Sequence, residues 1–324
     1  MRRLFWRNKR VLITGFEGFL GSNLTRVMLK SGAKIAGLDI KTFRKDTLLT
    51  EQDYREMTVY KGSVANYALV FRILKKHSIN VIFHLAAEAI VERSHNNPRR
   101  AFETNVAGTW EILEAARRQG GMEAVIVASS DKAYGSHKKL PYTENAPLQG
   151  RNPYDASKSC ADLIAHSYAH AYGLPLAITR CGNIYGPGDF NFSRLVPDAI
   201  RCALSGKTLD IRSDGRFTRD YVYVDDIVKG YILLAEKLKK LGLSGEAFNF
   251  SDESPLTVIE LLNKIRKVLK GRPDYRILNK AKYEIRHQYL DSRKARKMLG
   301  WKPATDVHNG VNNAVKWYSK LRSQ

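Results

Sequence analysis

Two short segments of this 324-residue chain carry side chains that can transfer protons. One reads Ser130-Asp131-Lys132, and the other reads Tyr154-Asp-Ala-Ser-Lys158. Residues four apart share a helix face, so a helix over the second segment points Tyr154 and Lys158 the same way. The lysine cation then lowers the pKa of the phenol from its usual value of about 10. A hydroxyl beside such a phenolate suffices to oxidise an alcohol with a nicotinamide as hydride acceptor.

Asp131 and Lys132 add an acid and a base that alcohol oxidation does not need. Their presence predicts that something else happens to the substrate as well. An ordinary lysine has a pKa of about 10.4, so Lys132 acts as a base only if burial and the nearby Lys158 lower that value. An ionised Asp131 would oppose this shift. The alternative is that Asp131 and Lys132 form a local ion pair that shapes the loop.

A glycine-rich segment, Thr14-Gly-Phe-Glu-Gly-Phe-Leu-Gly21, lies between a predicted strand and a predicted helix. Gly15, Gly18 and Gly21 permit a tight turn and the close approach of a pyrophosphate. The N–H groups at the start of the helix favour such an anion. The context of strand, loop and helix therefore predicts a dinucleotide-binding site.

The choice of dinucleotide depends on the end of the second predicted strand. Asp39 lies there, where a carboxylate can bond both ribose hydroxyls and repel a 2′-phosphate. This arrangement favours NAD over NADP. Arg44 and Lys45 follow closely and favour a 2′-phosphate, so NADP stays open as the alternative.

Apolar, β-branched runs alternate with helical patterns over the first two-thirds of the chain. This alternation predicts a parallel sheet covered by helices on both faces, the doubly wound α/β fold. Asn152 and Pro153 are a start signal for the helix that carries Tyr154 and Lys158. Further helices are expected near residues 20–30, 67–77, 99–118, 225–239 and 257–269, and strands at residues 11–14, 34–38, 57–60, 81–85, 124–128 and 176–179.

Composition restricts the class of protein further. The formal charge is +22, from 54 Lys and Arg against 32 Asp and Glu. It indicates either a solvated basic surface or an anionic partner such as a phosphorylated substrate. Nucleic acid is not expected, because no nucleic-acid-binding motif accompanies the charge. The pattern also predicts no metal site, no membrane span and, from three cysteines without CxxC spacing, reduced thiols in a cytoplasmic protein.

Together these motifs resemble the extended short-chain dehydrogenase/reductase family, whose members act mostly on nucleotide-diphosphate sugars. The similarity runs along essentially the whole chain. It is carried by Thr14–Gly21, Asp39, His84-Leu-Ala-Ala87, Asn105, Ser129–Gly135, Tyr154-x-x-x-Lys158, Arg180-x-Gly-Asn-Ile-Tyr-Gly186, Arg219–Asp226 and Gln288-Tyr-Leu-Asp with Leu299–Pro303.

The resemblance implies roles for individual residues. Ser130 would bond the sugar, Tyr154 would be the acid/base, and Lys158 would also hold the nicotinamide ribose. The family usually has Gly-Asp where this chain has Gly62-Ser63, so the contact with adenine would come from a serine. The expected cofactor contacts are Gly15, Phe16, Glu17, Gly18, Phe19, Leu20, Gly21, Asp39, Ser63, Val64, Leu85, Ala86, Ala87, Asn105, Tyr154 and Lys158. The expected substrate contacts are Glu88, Asn183, Arg194, Arg219 and Arg286.

Asp131 and Lys132 distinguish between reactions within the family. Members that resemble 4-epimerases commonly have small or inert residues there, whereas Asp-Lys is similar to the CDP-glucose 4,6-dehydratase type. The resemblance therefore implies an NAD-dependent 4,6-dehydratase, with a 4-epimerase as the alternative and a non-catalytic binding protein as a remote one. It also implies a homodimer through the helices after the fourth and fifth strands.

The resemblance and the element pattern divide the chain into two parts. We expect an NAD-binding Rossmann domain at residues 1–183 plus about 222–252. A smaller C-terminal α+β lobe for the nucleotide sugar is expected at about 184–221 and 253–324.

Overall fold

Runs of Val, Ile and Leu followed by helices build a seven-stranded sheet in the order β3-β2-β1-β4-β5-β6-β11. The computed structural model describes residues 3–281 and 284–322. Every neighbouring pair from β3 to β6 is parallel. The strands of this sheet are β1 (Arg10–Thr14), β2 (Lys34–Asp39), β3 (Thr58–Lys61), β4 (Val81–His84), β5 (Ala124–Ala128), β6 (Leu176–Cys181) and β11 (Ala247–Phe250).

Smaller sheets use the remaining strands. The strands β10 and β7 pair in parallel, β9 lies between β12 and β14, and β13 pairs with β8. Their bounds are β7 (Asn183–Tyr185), β8 (Leu209–Ile211), β9 (Thr218–Arg219), β10 (Tyr221–Tyr223), β12 (Leu256–Thr257), β13 (Tyr275–Ile277) and β14 (His287–Gln288).

Helices connect the strands. The α-helices are α1 (Arg3–Trp6), α2 (Phe19–Lys30), α3 (Glu51–Arg55), α4 (Tyr67–His77), α5 (Val91–Asn96), α6 (Pro98–Phe102), α7 (Gly108–Gln119), α8 (Pro153–Tyr172), α9 (Leu195–Ser205), α10 (Val224–Lys237), α11 (Val258–Val268) and α12 (Val307–Arg322). One turn of π-helix (Glu103–Ala107) joins α6 to α7, another spans Ala295–Leu299, and a 3₁₀ turn spans Asp131–Tyr134. None of the helices in the described ranges is both long and apolar enough to cross a lipid bilayer.

The order of the sheet confirms the predicted doubly wound fold. The strand sequence reverses direction between β1 and β4, and in such folds ligands bind beyond the carboxyl ends of the strands at that point. The segment expected as one helix at residues 99–118 is divided by the π turn. The helix α8 begins at Pro153 as predicted, but Asn152 does not cap its backbone; the Asn152 amide instead donates to the Asp155 carboxylate at 3.1 Å.

The chain forms two compact units. The first contains the chain up to Gly135, residues Ala146–Arg180 and Val228–Phe248; the second contains Ser136–Asn145, Cys181–Ile227 and the chain from Asn249 onward. In the first unit an apolar core packs β1, β4, β5 and β6 against α4, α7 and α8. In the second, α9, α11 and α12 share a separate core.

Residues 136–145 are tied to the second unit by their backbone. The Tyr142 N–H donates to the Tyr289 carbonyl, and the Tyr142 carbonyl accepts from the Asp291 N–H, each at 2.9 Å. The Asn249 side chain also donates to the Tyr142 carbonyl, at 2.9 Å. Assignment of the cofactor to the first unit and the nucleotide sugar to the second remains a prediction.

Candidate active site

The glycine loop leads from β1 into α2 at the reversal point of the sheet. Gly15 has a φ of 68°, and a Cβ added to it would lie 2.9 Å from the backbone N and Cα of Ala86. A Cβ added to Gly21 would collide with the carbonyl of Gly15. Side chains are therefore excluded where the chain turns back on itself, and the start of α2 can receive an anionic group. These residues fit the pyrophosphate of a dinucleotide.

Asp39 lies beside this loop, at the end of β2. Its carboxylate accepts hydrogen bonds from the backbone N–H of Glu17 at 3.4 Å and of Lys41 at 3.5 Å. Burial raises the pKa of Asp39, and the Arg44 cation partly opposes that shift. A carboxylate at this position suits a ribose diol.

The Glu17 side chain is turned away from solvent. It is fully buried, and its two oxygens accept from the backbone N–H of Phe43 at 2.6 Å and of Arg44 at 2.8 Å. The carboxylate thus holds the turn that follows β2. The Phe16 ring is also fully buried, and it packs edge-on against Tyr54 at 6.5 Å.

The other predicted cofactor residues sit at the carboxyl ends of β3 and β4. Ser63 follows β3, and its hydroxyl accepts from the Ala65 N–H at 3.1 Å. Leu85 and Ala86 follow β4, and both donate their N–H to the Thr14 hydroxyl at 3.1 Å. Val64 is buried, Ala87 is half-buried, and Phe19 and Leu20 are the first two residues of α2.

His84 anchors a chain of buried hydrogen bonds. Since the Thr14 oxygen already accepts two N–H groups, it donates its own proton to His84 Nδ1 at 2.8 Å. His84 Nε2 then donates to Thr109 at 3.2 Å, and Thr109 donates to the Asn105 carbonyl at 2.6 Å. Burial, followed by the Lys158 charge, lowers the pKa of His84 to about 3, so the ring stays neutral. Its hydrogen bonds on both ring nitrogens give His84 a structural role.

Asn105 extends this series of hydrogen bonds to α8, the helix that carries Tyr154 and Lys158. It lies on the π turn, and its amide donates to Ser157 at 2.8 Å and to the Glu88 carbonyl at 3.2 Å. Ser157 in turn donates to the Tyr154 carbonyl at 2.7 Å. A buried polar path thus runs from the glycine loop to the helix that carries Tyr154.

The 3₁₀ turn after β5 carries the predicted acid and base. The Ser130 hydroxyl accepts from the Lys132 N–H at 3.2 Å and donates to the Asp131 carboxylate at 3.0 Å. Asp131 is buried, and Lys132 is half-buried. The hydroxyl predicted to bond the sugar therefore also caps the turn and orients the neighbouring acid.

Tyr154 and Lys158 lie one helical turn apart on α8, and both are buried. The Lys158 ammonium donates to the carbonyl of Ala128, the last residue of β5, at 2.8 Å. Burial lowers the pKa of Lys158 to about 8, and the Asp162 carboxylate partly opposes that shift. The amine is thus held close to the 3₁₀ turn that begins three residues later.

Sequence reasoning missed Asp155, which is buried beside the same turn. Burial raises the pKa of Asp155, Lys132 lowers it, and Asp131 raises it, so all three groups act on one another electrostatically. Ser159, one turn further along α8, donates to the Ala133 carbonyl at 2.8 Å and fixes this face of the helix against the 3₁₀ turn. The sequence signal that could have identified Asp155 was the presence of an acid between Tyr154 and Lys158.

Glu88 was expected to contact the substrate. Its side chain is buried and lies 3.2 Å from Arg100, and its backbone N–H donates to the Asn105 side chain at 2.8 Å. Substrate contact by Glu88 remains a prediction. Its carboxylate would have to contact the substrate while it is paired with the Arg100 guanidinium.

Four predicted substrate residues belong to the second unit. Arg219 is buried on β9 and donates to the carbonyls of Thr218 at 2.8 Å and Arg286 at 3.1 Å, so part of its donor set is used by backbone. The Arg286 side chain is exposed. Arg194 lies 3.1 Å from Asp189, and Asn183 hydrogen-bonds Tyr221. The structure thus brings the Arg219 guanidinium against the backbone carbonyl of Arg286.

Metal chemistry was not expected from the sequence. In the part of the chain that the structure describes, no group of three or more His, Cys, Asp or Glu side chains is arranged to hold a metal ion.

Comparison with known proteins identifies the family. The model of the GDP-mannose 4,6-dehydratase family matches residues 12–314. The dTDP-glucose 4,6-dehydratase of Xanthomonas campestris pv. campestris is 31% identical over 330 residues, which cover 95% of this chain and 92% of the relative. The CDP-glucose 4,6-dehydratase of Salmonella typhimurium is 30% identical over 330 residues, covering 97% and 91%. The two relatives differ in nucleotide and are equally similar to the chain.

Solved structures agree with this assignment. The dTDP-glucose 4,6-dehydratase of Bacillus anthracis in complex with NAD has a TM-score of 0.87 at 30% identity, over 97% of this chain and 98% of that one. The UDP-glucose 4-epimerase of Thermotoga maritima with UDP-glucose has a TM-score of 0.88 at 28% identity, over 97% and 99%. Fold similarity alone therefore does not separate dehydratase from epimerase.

Proposed function

Because the chain belongs to the GDP-mannose 4,6-dehydratase family, we propose that it is an NAD-dependent nucleotide-diphosphate-sugar 4,6-dehydratase. The observation that carries this proposal is the 3₁₀ turn with Ser130, Asp131 and Lys132, fixed against the helix of Tyr154 and Lys158. Similarity to the CDP-glucose and dTDP-glucose enzymes supports it.

The first step removes a proton from the C4 hydroxyl of the sugar. Tyr154 takes this proton as the phenolate, which the buried Lys158 cation stabilises. Ser130 bonds the same hydroxyl and positions it. NAD, held by the glycine loop and Asp39, would supply the hydride acceptor for C4 and the hydride donor for C6.

The second step removes water. A ketone at C4 acidifies the C5 hydrogen, which Lys132 takes as a base, while Asp131 gives a proton to the departing C6 hydroxyl. The C6 hydroxyl leaves as water with the proton from Asp131, while Lys132 keeps the C5 proton and a C5–C6 double bond forms. When the hydride is returned to C6, Lys132 gives its proton back to C5, so the product is a 4-keto-6-deoxy sugar. The proton held by Tyr154 is exchanged with solvent, from which Asp131 regains its own.

Lys132 must be neutral to act as a base, and its surroundings determine whether it is. Asp131 and Asp155 are buried and act on Lys132 from the 3₁₀ turn and from α8. Burial raises the pKa of Asp155 and the Lys132 charge lowers it, so the two groups affect each other's charge. Asp155 therefore belongs with Asp131 to the surroundings on which the base role of Lys132 depends.

Incubation with NAD⁺ and CDP-, dTDP-, UDP- and GDP-linked hexoses tests the proposal. A dehydratase yields a product lighter by the mass of one water, detected by mass spectrometry. Tyr154→Phe, which lacks the acid/base hydroxyl, is the inactive control. A product of unchanged mass with inverted C4 would overturn the dehydratase assignment.

A nucleotide-sugar 4-epimerase is the second candidate, favoured by the similarity to the Thermotoga enzyme. Epimerisation needs only hydride transfer out and back at C4. It leaves no task for Asp131 and Lys132, which is why dehydration is preferred. The mass of the product separates the two reactions.

The nucleotide diphosphate is proposed to bind the second unit. Arg194 and Arg286 each present a guanidinium that is at least partly exposed, and arginine forks match phosphate oxygens. The net charge of +22 favours capture of such an anion. A cytoplasmic location fits the absence of a disulfide at Cys160, Cys181 and Cys202 in the described part of the chain.

A homodimer through α7 and α8 is proposed as the working assembly. These helices pack together, and they expose Trp110 at 42% and Leu163 at 58% of their side-chain surface. Exposed apolar residues of this size on packed helices mark an interaction surface. Light scattering should give the mass of a dimer for the wild type and of a monomer for Leu163→Glu. Leu241→Glu, at an exposed leucine after α10, is the control and should remain a dimer.

A further inference from the structure

The turn after β2 places an arginine close to the carboxylate that is proposed to bind the adenosine ribose. Arg44 acts electrostatically on both Asp39 and Glu17. A guanidinium at this position would attract the 2′-phosphate of NADP, whereas Asp39 would repel it. The cofactor preference of the chain therefore depends on whether Arg44 is available.

The backbone of Arg44 is fixed by Glu17. The buried Glu17 carboxylate accepts from the N–H groups of Phe43 and Arg44 at 2.6 and 2.8 Å. Phe43 has a φ of 59°, an unfavourable value for a residue with a side chain, and the Glu17 bonds hold it there. Arg44 thus leaves the turn in a defined direction.

The side chain of Arg44 is occupied by Asp46. Arg44 Nε donates to Asp46 Oδ1 at 2.9 Å, and Nη2 donates to Oδ2 at 2.5 Å. This is the two-pronged geometry with which arginine also binds phosphate. The carboxylate of Asp46 therefore stands in for a phosphate, and the same donors cannot serve both.

We propose that Arg44 could bind a 2′-phosphate but that Asp46 occupies its guanidinium. Asp46 thereby acts together with Asp39 to exclude NADP. The inference rests on the proposed use of NAD and deepens it. Asp39 repels the extra phosphate directly, and Asp46 removes the cation that would compensate. Asp46 is a specificity residue that need not touch the cofactor.

Equilibrium titration of the full-length protein with NAD⁺ and NADP⁺ tests this inference. The comparison uses Asp39→Ser, which removes the direct repulsion, and the double variant Asp39→Ser/Asp46→Ala. Because the Arg44–Asp46 pair is partly exposed, at 31% and 51%, it is a weak competitor. Its removal should tighten NADP⁺ binding about fivefold. NAD⁺ binding should change less than about twofold.

Two further variants test whether the Arg44–Asp46 pair controls NADP⁺ binding or whether any loss of negative charge nearby has the same effect. Glu51→Ala removes one negative charge from the neighbouring helix α3, where Glu51 pairs with Arg55 at 3.5 Å. In the Asp39→Ser background it should leave NADP⁺ affinity within about twofold. Adding Arg44→Ala to the double variant should cancel the gain.

The outcomes distinguish a failure of the proposed Asp46 role from a failure of the proposed function. The proposed role of Asp46 is overturned if NADP⁺ affinity is equal with and without Asp46. It is also overturned if Glu51→Ala gives an equal gain in affinity, or if the gain persists after Arg44→Ala. None of these results would contradict NAD binding. A wild type that binds neither dinucleotide overturns the proposed function and the proposed role of Asp46 together. Should Asp39→Ser fail to fold by thermal melting, Asp46→Ala in the wild-type background gives the same comparison.

Discussion

Among single residues, Lys132 is the one on which the choice between dehydration and epimerisation depends most. Lys132→Ala removes the base for C5 and leaves Tyr154 and Lys158 in place. We expect water loss to fall roughly 100-fold or more, the usual contribution of a positioned base. The first hydride transfer should persist, so NADH absorbance should accumulate while no product lighter by one water is formed.

The matched control for this change is Lys138→Ala. Lys138 is an exposed lysine shortly after the 3₁₀ turn, so its replacement should leave turnover unchanged. If Lys132→Ala dehydrates the sugar as fast as this control does, Lys132 is not the base.

Lys158 predicts how the oxidation step depends on pH. Its pKa is lowered to about 8 by burial, so the ammonium is present below that pH and is lost above it. Loss of the cation withdraws support from the Tyr154 phenolate. Single-turnover oxidation should therefore slow as pH rises past about 8. Lys158→Arg keeps its charge at all accessible pH, so the decline in oxidation rate should move to higher pH. Identical pH–rate profiles for the wild type and this variant would contradict the assignment of the decline to Lys158.

At the scale of elements, a buried ion pair holds the catalytic helix to the sheet. Arg180 on β6 donates to Asp162 on α8 at 2.7 and 2.8 Å and to the Tyr134 hydroxyl at 2.9 Å. Asp162 and Arg180 are almost fully buried. Removing the cation strands a carboxylate in the core, so Arg180→Met should lower the free energy of unfolding by about 3 kcal/mol.

Chemical denaturation measures this effect against an exposed pair. Arg118→Ala, which loses a surface contact with Glu114, should cost less than about 0.5 kcal/mol. Replacing both Asp162 and Arg180 by apolar residues should recover much of the loss. Comparable costs for Arg180→Met and Arg118→Ala would show that the buried pair contributes no more than a surface pair.

The elements that could be predicted are those whose own pattern determines them. Six strands of the main sheet are continuous apolar runs between helices, and each was expected. The strand β11 was missed because it is four residues long, contains the polar Asn249, and follows its neighbour β6 only after a long excursion. The helix α12 was missed because its first half contains three Asn and one Gly, so it depends on packing of Val311, Ala314 and Tyr318.

At the scale of the whole molecule, the motifs predicted a cofactor loop and acid–base pairs but not the residues that these contact. Nothing in the spacing indicated that Arg219 donates to the Arg286 carbonyl or that Asp155 and Lys132 interact electrostatically. Both relations depend on contacts between segments far apart along the chain. The division of the chain into two units likewise follows from such contacts, as residues 136–145 illustrate.

The buried path from Thr14 through His84, Thr109 and Asn105 to the α8 helix has a thermodynamic consequence. We expect this path to couple the two sites, and any coupling free energy between them acts equally in both directions. Occupation of the glycine loop by NAD⁺ should therefore slow amide hydrogen exchange along α8. Thr109→Val, which breaks the path, should reduce that protection while dinucleotide affinity reports the reciprocal loss. The loop and the catalytic helix would then respond to ligands as a single cooperative unit.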